Sequence, residues 1–282
     1  MATINIGYSP CPNDTFIFDA LANGKIELGG LDFRPQLADV EALNQWALAG
    51  KLGVTKISFS AYMQVQDKYI LLNAGAALGQ NCGPLVVCRP DFSPENMAAA
   101  RIAIPGEMTT ANFLFSLKYP EAKQKTAFLF SDIEDAVLDG RADVGLIIHE
   151  NRFTYAERGL ALLADLGAFW QDTTGSPIPL GGIAARRDLS LATLQAIDSA
   201  VRRSVEFAQT QPASSFDYVC QHAQTMSPEV MRQHIALYVN DFSRDLGVQG
   251  RQAVQLLFQK AKDLGIIKNI EPTLFVPQNF FP

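Results

Sequence analysis

Two proline-rich stretches most constrain what this chain can fold into. Pro90, Ser93 and Pro94 form the first; Gly175-Ser176-Pro177-Ile178-Pro179 forms the second. Proline fixes φ and removes a backbone donor, so neither stretch continues a helix or a central strand. Around them short apolar runs alternate with helical periodicity, the rhythm of an α/β fold. Before the first crossing, strands are expected at Thr3–Tyr8, Val54–Ser58, Tyr69–Ala74 and Pro84–Cys88. A helix follows Asn13 or Asp14, another spans Val40–Leu48, and a loop covers Gly75–Gly83. Between the crossings come strands at Ile102–Ile104, Thr126–Phe130 and Ala142–Ile148, with helices after Thr109-Thr110 and over Asp132–Leu138. Beyond the second lie a strand at Leu180–Ala185, four helices (Leu191–Gln209, Ser214–His222, Pro228–Val239, Gln249–Leu264) and a tail, Pro272–Pro282, expected along the surface. The pattern predicts a two-lobed α/β architecture with a discontinuous first domain. Residues 1–90 plus 178–282 form a large lobe with C-terminal helices, and 91–177 a smaller inserted lobe. A ligand cleft between such lobes, closing by hinge motion, is the natural consequence. One continuous α/β domain with long loops is the alternative that pattern alone leaves open.

Apolar residues make up 48% and charged residues 18% of the 282, a composition that fills a core. The net charge of -6 argues against nucleic acid and against anionic lipid surfaces. No segment approaches the roughly 20 apolar residues that span a bilayer. The start at Met1 carries no basic, apolar export signal, so a cytoplasmic protein is expected. Cys11, Cys82, Cys88 and Cys220 form no CxxC pair and no zinc spacing, which reads as reduced thiols. No GxGxxG, Walker A or HExxH pattern occurs, and His222 and His234 lack a second ligand at metal spacing. No cofactor and no metal are expected.

In an open α/β sheet, ligands sit beyond the carboxyl ends of strands. The run Val144 to Ile148 ends in His149, the one histidine with that placement. A strand-end histidine bonded to a backbone carbonyl is the plainer reading of position alone. Ser9-Pro10-Cys11-Pro12-Asn13-Asp14 likewise joins a strand to a helix whose first amides are open to a ligand. Ser9, Asn13 and Asp14 are therefore binding candidates, with helix capping as the rival for Asn13 and Asp14.

Several stretches converge on a family. SPCPNDTF (Ser9–Phe16), Thr55-Lys56-Ile57-Ser58, Pro105-Gly106 with Thr109-Thr110-Ala111, Leu146-Ile147-Ile148-His149-Glu150 with Arg152-Phe153-Thr154-Tyr155, and Tyr238-Val239-Asn240 resemble the 1,4-dihydroxy-6-naphthoate synthases of the futalosine route to menaquinone. The resemblance spans nearly the whole chain in order. It implies a type II periplasmic-binding-protein fold used as an enzyme. The implied reaction, a carbon–carbon lyase step, splits the small molecule cyclic dehypoxanthine futalosine into 1,4-dihydroxy-6-naphthoate and dihydroxyacetone. By matching position His149 would be the proton acceptor, and Lys56, Ile57, Ser58, Thr109 and Thr110 would contact substrate.

The chemistry is compatible with those residues. Histidine suits proton removal near neutral pH. Thr109 and Thr110, with hydroxyls and helix N-terminal amides, suit a carboxylate, although threonine also caps helices routinely. Lys56 could hold a developing oxyanion, against the commoner solvated lysine. Ile57 would contribute backbone, its side chain reading as core. Glu150 should point away from His149 if the strand continues. Arg152 fits a bidentate carboxylate contact or a structural ion pair equally, and Phe169-Trp170 reads as core before ring stacking. Cys11 has nothing basic near it in sequence, and the reaction needs no covalent intermediate. Solute-binding proteins of transporters share this fold; the absent export signal and lipid-attachment cysteine, and the strand-end histidine, argue for the enzyme. Against the related chorismate dehydratase stand SPCPNDTF and IIHE.

Overall fold

A computed structural model describes residues 2–149, 151–223 and 227–278. The chain divides into two compact units, Met1–Leu78 with Gly181–Pro282, and Gly79–Leu180. In chain order the first begins with β1 (Ala2–Tyr8), α1 (Pro12–Ala22), β2 (Leu31–Leu37), α2 (Val40–Leu48), β3 (Val54–Ser58), α3 (Phe59–Tyr62) and β4 (Tyr69–Leu71); β5 (Ala77–Gly79) marks the first crossing. Next come β6 (Leu85–Cys88), β7 (Ile102–Ile104), α4 (Thr110–Lys118), β8 (Lys125–Ala127), α5 (Ile133–Leu138), β9 (Val144–Ile147), α6 (Asn151–Thr154), β10 (Ala161–Asp165) and α7 (Leu166–Thr174). Strand β11 (Ile178–Arg186) carries the second crossing. It leads to α8 (Leu191–Thr210), α9 (Pro212–His222), α10 (Pro228–Tyr238), α11 (Asp241–Arg244) and α12 (Gly247–Asp263).

The first unit's sheet runs β2-β1-β3-β11-β4, with β1 parallel to β2 and β3, and β11 antiparallel to β3 and β4. Strand β1 alternates Thr3 out, Ile4 in, Asn5 out, Ile6 in, as a strand with one wet face does. Helix α1 behaves differently: Pro12 to Leu21 are all buried, because α8, α9 and α10 pack around it. The core joins Ile6, Phe18, Leu21, Ile183, Ile197, Val201 and Val205, each such side chain contributing roughly 1.5–3 kcal/mol when withdrawn from water. Strand β2 accommodates Pro35 because it lies at the sheet's edge.

The second unit's sheet runs β10-β6-β9-β7-β8. Strands β9, β7 and β8 are parallel, while β6 and β10 are antiparallel to their neighbours. Its core joins Leu85, Val87, Ala103, Ile133, Val137 and Ile147.

Three expectations need correction. Strand β6 pairs with β9 through Leu85↔Ile147 to Cys88↔Val144, so it belongs to the second sheet and the first crossing precedes residue 90. The described tail is not superficial throughout: Pro272, Thr273 and Pro277 are exposed, but the three residues 274–276 are not. Leu71 donates to Leu274 and accepts from Val276, both at 2.9 Å, so the tail extends β4 and buries Leu274, Phe275 and Val276. Asn13 and Asp14 do not cap α1: Cys11 is the N-cap and Pro12 occupies the first turn, where its missing N–H is harmless.

Candidate functional site

In the first unit the register of β1 on β3, Ile6↔Val54 and Gly7↔Thr55, carries the carboxyl ends of both strands to one edge. The loop after Tyr8 and the residues Lys56–Ser58 therefore meet. Asp14 is the hub. Its Oδ2 accepts the Ser9 N–H at 3.1 Å and the Ser9 hydroxyl at 2.7 Å. Its Oδ1 accepts Asn13 Nδ2 and Lys56 Nζ, both at 2.9 Å. Asp14 is 1% exposed and Lys56 6%, so this is a buried ion pair. Such a pair persists only when its remaining hydrogen-bonding capacity is met, and the carboxylate here has four donors. The Lys56 ammonium also donates to the Gly75 carbonyl at 3.4 Å. With three hydrogens on the ammonium, one is left without an acceptor among the described residues.

Asn13 is the second open group. Its amide nitrogen faces Asp14, an acceptor, so its Oδ1 must be the atom turned away, and that buried oxygen has no partner among the described residues. Ser58 ends β3, and its amide and hydroxyl both engage Asn44 of α2, at 3.0 and 3.1 Å. Ile57 is 0% exposed and pairs with Gly182 of β11, so its side chain belongs to the core. Asn44, fully buried, was not singled out from sequence; nothing in a helix reading marks it apart from any other polar residue on the stripe. Cys11 is buried at the α1 N-cap.

In the second unit, β7 and β9 are adjacent and parallel through Ala103↔Gly145, so Thr109 and His149 both follow the carboxyl edge of one sheet. Thr109 is the α4 N-cap. Its hydroxyl accepts the Asn112 N–H at 3.2 Å and donates to the Gly106 carbonyl at 2.9 Å. Thr110 donates its hydroxyl to the Leu180 carbonyl at 2.6 Å. Both hydroxyl hydrogens are thus engaged with protein carbonyls. Of the hydroxyls and helix amides expected from sequence to meet an anion, the backbone amides of the first α4 turn are the donors left to it.

His149 follows β9 by two residues, half-buried, with φ +58. Among the described residues only Asn81 and His149 are non-glycine with positive φ. A side chain in that region costs of order 1–3 kcal/mol and persists only where the surroundings enforce it. Enforcement comes from both sides. The His149 ring packs edge-to-face on Phe130 at 4.9 Å. Two residues on, Asn151 Nδ2 donates to the buried Glu134 carboxylate at 2.6 Å, which Arg158 also engages at 3.1 Å. Glu150 lies outside the described residues.

Other candidates resolve into structural roles. Arg152 pairs with Asp165 at 2.9 Å and also donates to the Gly83 carbonyl. Trp170 is core, its indole N–H donating to the Pro177 carbonyl at 3.2 Å. Asn240 caps α11 in a capping box with Ser243. His234 is fully buried beside Tyr238, and His222 packs on Tyr218. Burial pushes the Cys82 thiol up to about 12, away from nucleophilic use. Among the described residues, no cluster of three or more His, Cys, Asp or Glu could hold a metal ion, and no helix is long and apolar enough to cross a membrane.

Residues 4–263 match the family described as menaquinone biosynthesis. A 1,4-dihydroxy-6-naphtoate synthase of Thermus thermophilus is 46% identical over 276 residues, 98% of this chain and 100% of that one. The protein of the same description from Streptomyces coelicolor is 43% identical, over 96% of each. A crystal structure of an Archaeoglobus fulgidus protein aligns with TM-score 0.88 at 35% identity, covering 94% of this chain and 98% of that one. The alkanesulfonate-binding protein of Xanthomonas axonopodis pv. citri aligns with TM-score 0.70 at 13% identity, over 97% and 96%; that likeness is one of fold, the periplasmic-binding-protein fold. The chain belongs to the 1,4-dihydroxy-6-naphthoate synthase family of menaquinone biosynthesis.

Proposed function

We propose that the protein is a carbon–carbon lyase that converts cyclic dehypoxanthine futalosine to 1,4-dihydroxy-6-naphthoate and dihydroxyacetone, with His149 as general base. The observation that carries the reading is the placement of His149. It stands past the end of the buried strand β9, in a strained backbone conformation that Phe130 and the Glu134–Asn151 contact support. Strain retained at a strand end points toward use.

Breaking the carbon–carbon bond while the ring becomes aromatic requires two things. A proton must leave, and the oxygen that gains charge must be held. A positioned histidine supplies the first, a contribution of roughly 10²–10⁴-fold. Lys56 suits the second because its charge is already fixed by Asp14 and one of its hydrogens is uncommitted. Ser58 and the backbone of Ile57 add contacts, Asn13 Oδ1 offers a buried acceptor to a substrate hydroxyl, and Ser9 orients Asp14. The α4 amides after Thr109, including that of Thr110, suit the carboxylate that the naphthoate keeps. Each step uses proton transfer or charge stabilisation that side chains and backbone can supply.

The test is incubation of purified protein with cyclic dehypoxanthine futalosine and identification of both products by mass spectrometry. Release of the naphthoate and dihydroxyacetone in equal amounts is expected. Tight binding with no turnover would replace the lyase by a solute-binding role.

A further inference from the structure

The contact between Asn44 and Ser58 fixes which way a hydroxyl can donate. A backbone N–H can only donate, so the Asn44 atom that meets the Ser58 amide at 3.0 Å must be Oδ1. The other end of the same amide, Nδ2, then faces Ser58 Oγ at 3.1 Å and Glu41 Oε2 at 3.3 Å. An NH₂ group has no lone pair to offer, so Ser58 Oγ accepts from it. The hydroxyl's own hydrogen is left over, with no acceptor among the described residues. Ser58 also sits at the N-cap of α3, where serine commonly accepts a helix amide, yet its side chain makes no cap bond. Both Asn44 and Ser58 are buried, so water is not a ready alternative.

We propose that Asn44 is a positioning residue that makes Ser58 an obligate hydrogen-bond donor toward the substrate, directed at an acceptor oxygen: a carbonyl, enolate or carboxylate. The proposal rests on the reading of Ser58 as a substrate contact. It predicts that the polarity can be reversed by a substitution of nearly the same shape. In N44D the new carboxylate still accepts the Ser58 N–H, but it also accepts the Ser58 hydroxyl and turns that hydrogen away from the ligand.

The experiment is a double-mutant cycle of N44D and S58A, assayed at alkaline pH so that the introduced carboxylate is ionised. It reads kcat and KM for cyclic dehypoxanthine futalosine and, separately, calorimetric binding of 1,4-dihydroxy-6-naphthoate. Losing one such donor should lower kcat/KM roughly tenfold in S58A. N44D should lose at least as much alone, and N44D in the S58A background should fall within about twofold of S58A. N44A, which frees the hydroxyl without reversing it, should lose less than N44D, and it takes the place of N44D in the cycle if that variant does not fold. Equal N44D losses with and without Ser58 would overturn the proposal while leaving the lyase reading intact. So would S58A with wild-type kcat/KM and binding. A wild type that binds the naphthoate but never turns over sinks the lyase reading instead, and the binding cycle then decides the polarity.

Discussion

Lys56 Nζ lies 2.9 Å from Asp14 Oδ1, and neither residue is more than 6% exposed. The pair joins the end of β3 to the first turn of α1, so one contact ties two loops at the sheet edge together. It also holds a cation where solvent cannot screen it. Removing one partner leaves the other charge buried and uncompensated, which costs about 3–5 kcal/mol. Asp14→Asn should therefore lower unfolding free energy by about that amount in urea titration, with turnover falling as well. Lys56→Met should be milder in stability, because Asp14 keeps Ser9 and Asn13 as donors. Its turnover should nevertheless be lost. Equal stability of D14N and wild type would contradict the pair's role.

His149 invites a dissociation of stability from activity. Glycine adopts positive φ freely, so His149→Gly should relieve backbone strain worth roughly 1 kcal/mol. Thermal melting should show the variant near wild-type stability, the lost ring contact with Phe130 offsetting part of the relief. Activity should drop at least a hundredfold. A variant destabilised by several kcal/mol would show that the histidine serves the fold.

The loop after His149 depends on Glu134. Glu134→Ala removes the acceptor for Asn151 and strips Arg158 of one of its two carboxylates, Asp135 being the other. A loss of about 1–3 kcal/mol is expected from the unsatisfied buried amide. Hydrogen exchange should speed up in residues 151–158 with β1 and α1 unchanged. Unchanged exchange there would exclude Glu134 as the anchor.

Gly83 and Gly167 meet backbone to backbone. A Cβ on Gly83 would stand 2.2 Å from Gly167 N, with no side chain to give way. Gly83→Ala should cost at least about 1–3 kcal/mol, the usual range for overpacking, and lower the melting midpoint. Wild-type melting would mean that the close approach is not needed.

Alkaline stability follows from burial. Burial pushes the Cys82 thiol up to about 12, and the Tyr8 phenol is raised further, by burial first and then by its bond with Tyr218. In both, the folded state holds the proton more tightly than the unfolded one. Their contribution is intact below the unfolded values, roughly 8.5 for cysteine and 10 for tyrosine, and is lost as pH climbs above them. The urea midpoint should hold steady to about pH 8 and then decline. Cys82→Ala should decline less steeply above about pH 9; an identical slope would remove Cys82 from the account.

Much of this was legible in the sequence, and the gaps have physical causes. Helix α2 is bounded as its apolar stripe and Gly50 predict, and strand β9 reads as the buried run it is. Strand β2 is absent from the sequence reading; it holds Pro35, which a strand tolerates at a sheet's edge. Strand β6 reads as a strand, but periodicity carries no information about which sheet it joins. Helix α7 lies outside the sequence reading, although Asp165 at its N-cap and Gly175 at its C-cap both signal it. Ser9, Asn13, Asp14, Lys56 and Ser58 were singled out separately, by loop position and by resemblance. The meeting of Ser9, Asn13 and Lys56 at the Asp14 carboxylate depends on the β1–β3 register, and Ser58 engages Asn44 instead. Asn44 was invisible because its function lies in which end of its amide faces Ser58, a fact of geometry alone.

The role of His149 is decided by comparing wild type with His149→Gly in a single turnover of cyclic dehypoxanthine futalosine, with substrate affinity measured by calorimetry on both. Similar affinity and melting are expected, with naphthoate formation at least a hundredfold slower in the variant. Formation at a near wild-type rate would contradict His149 as the base.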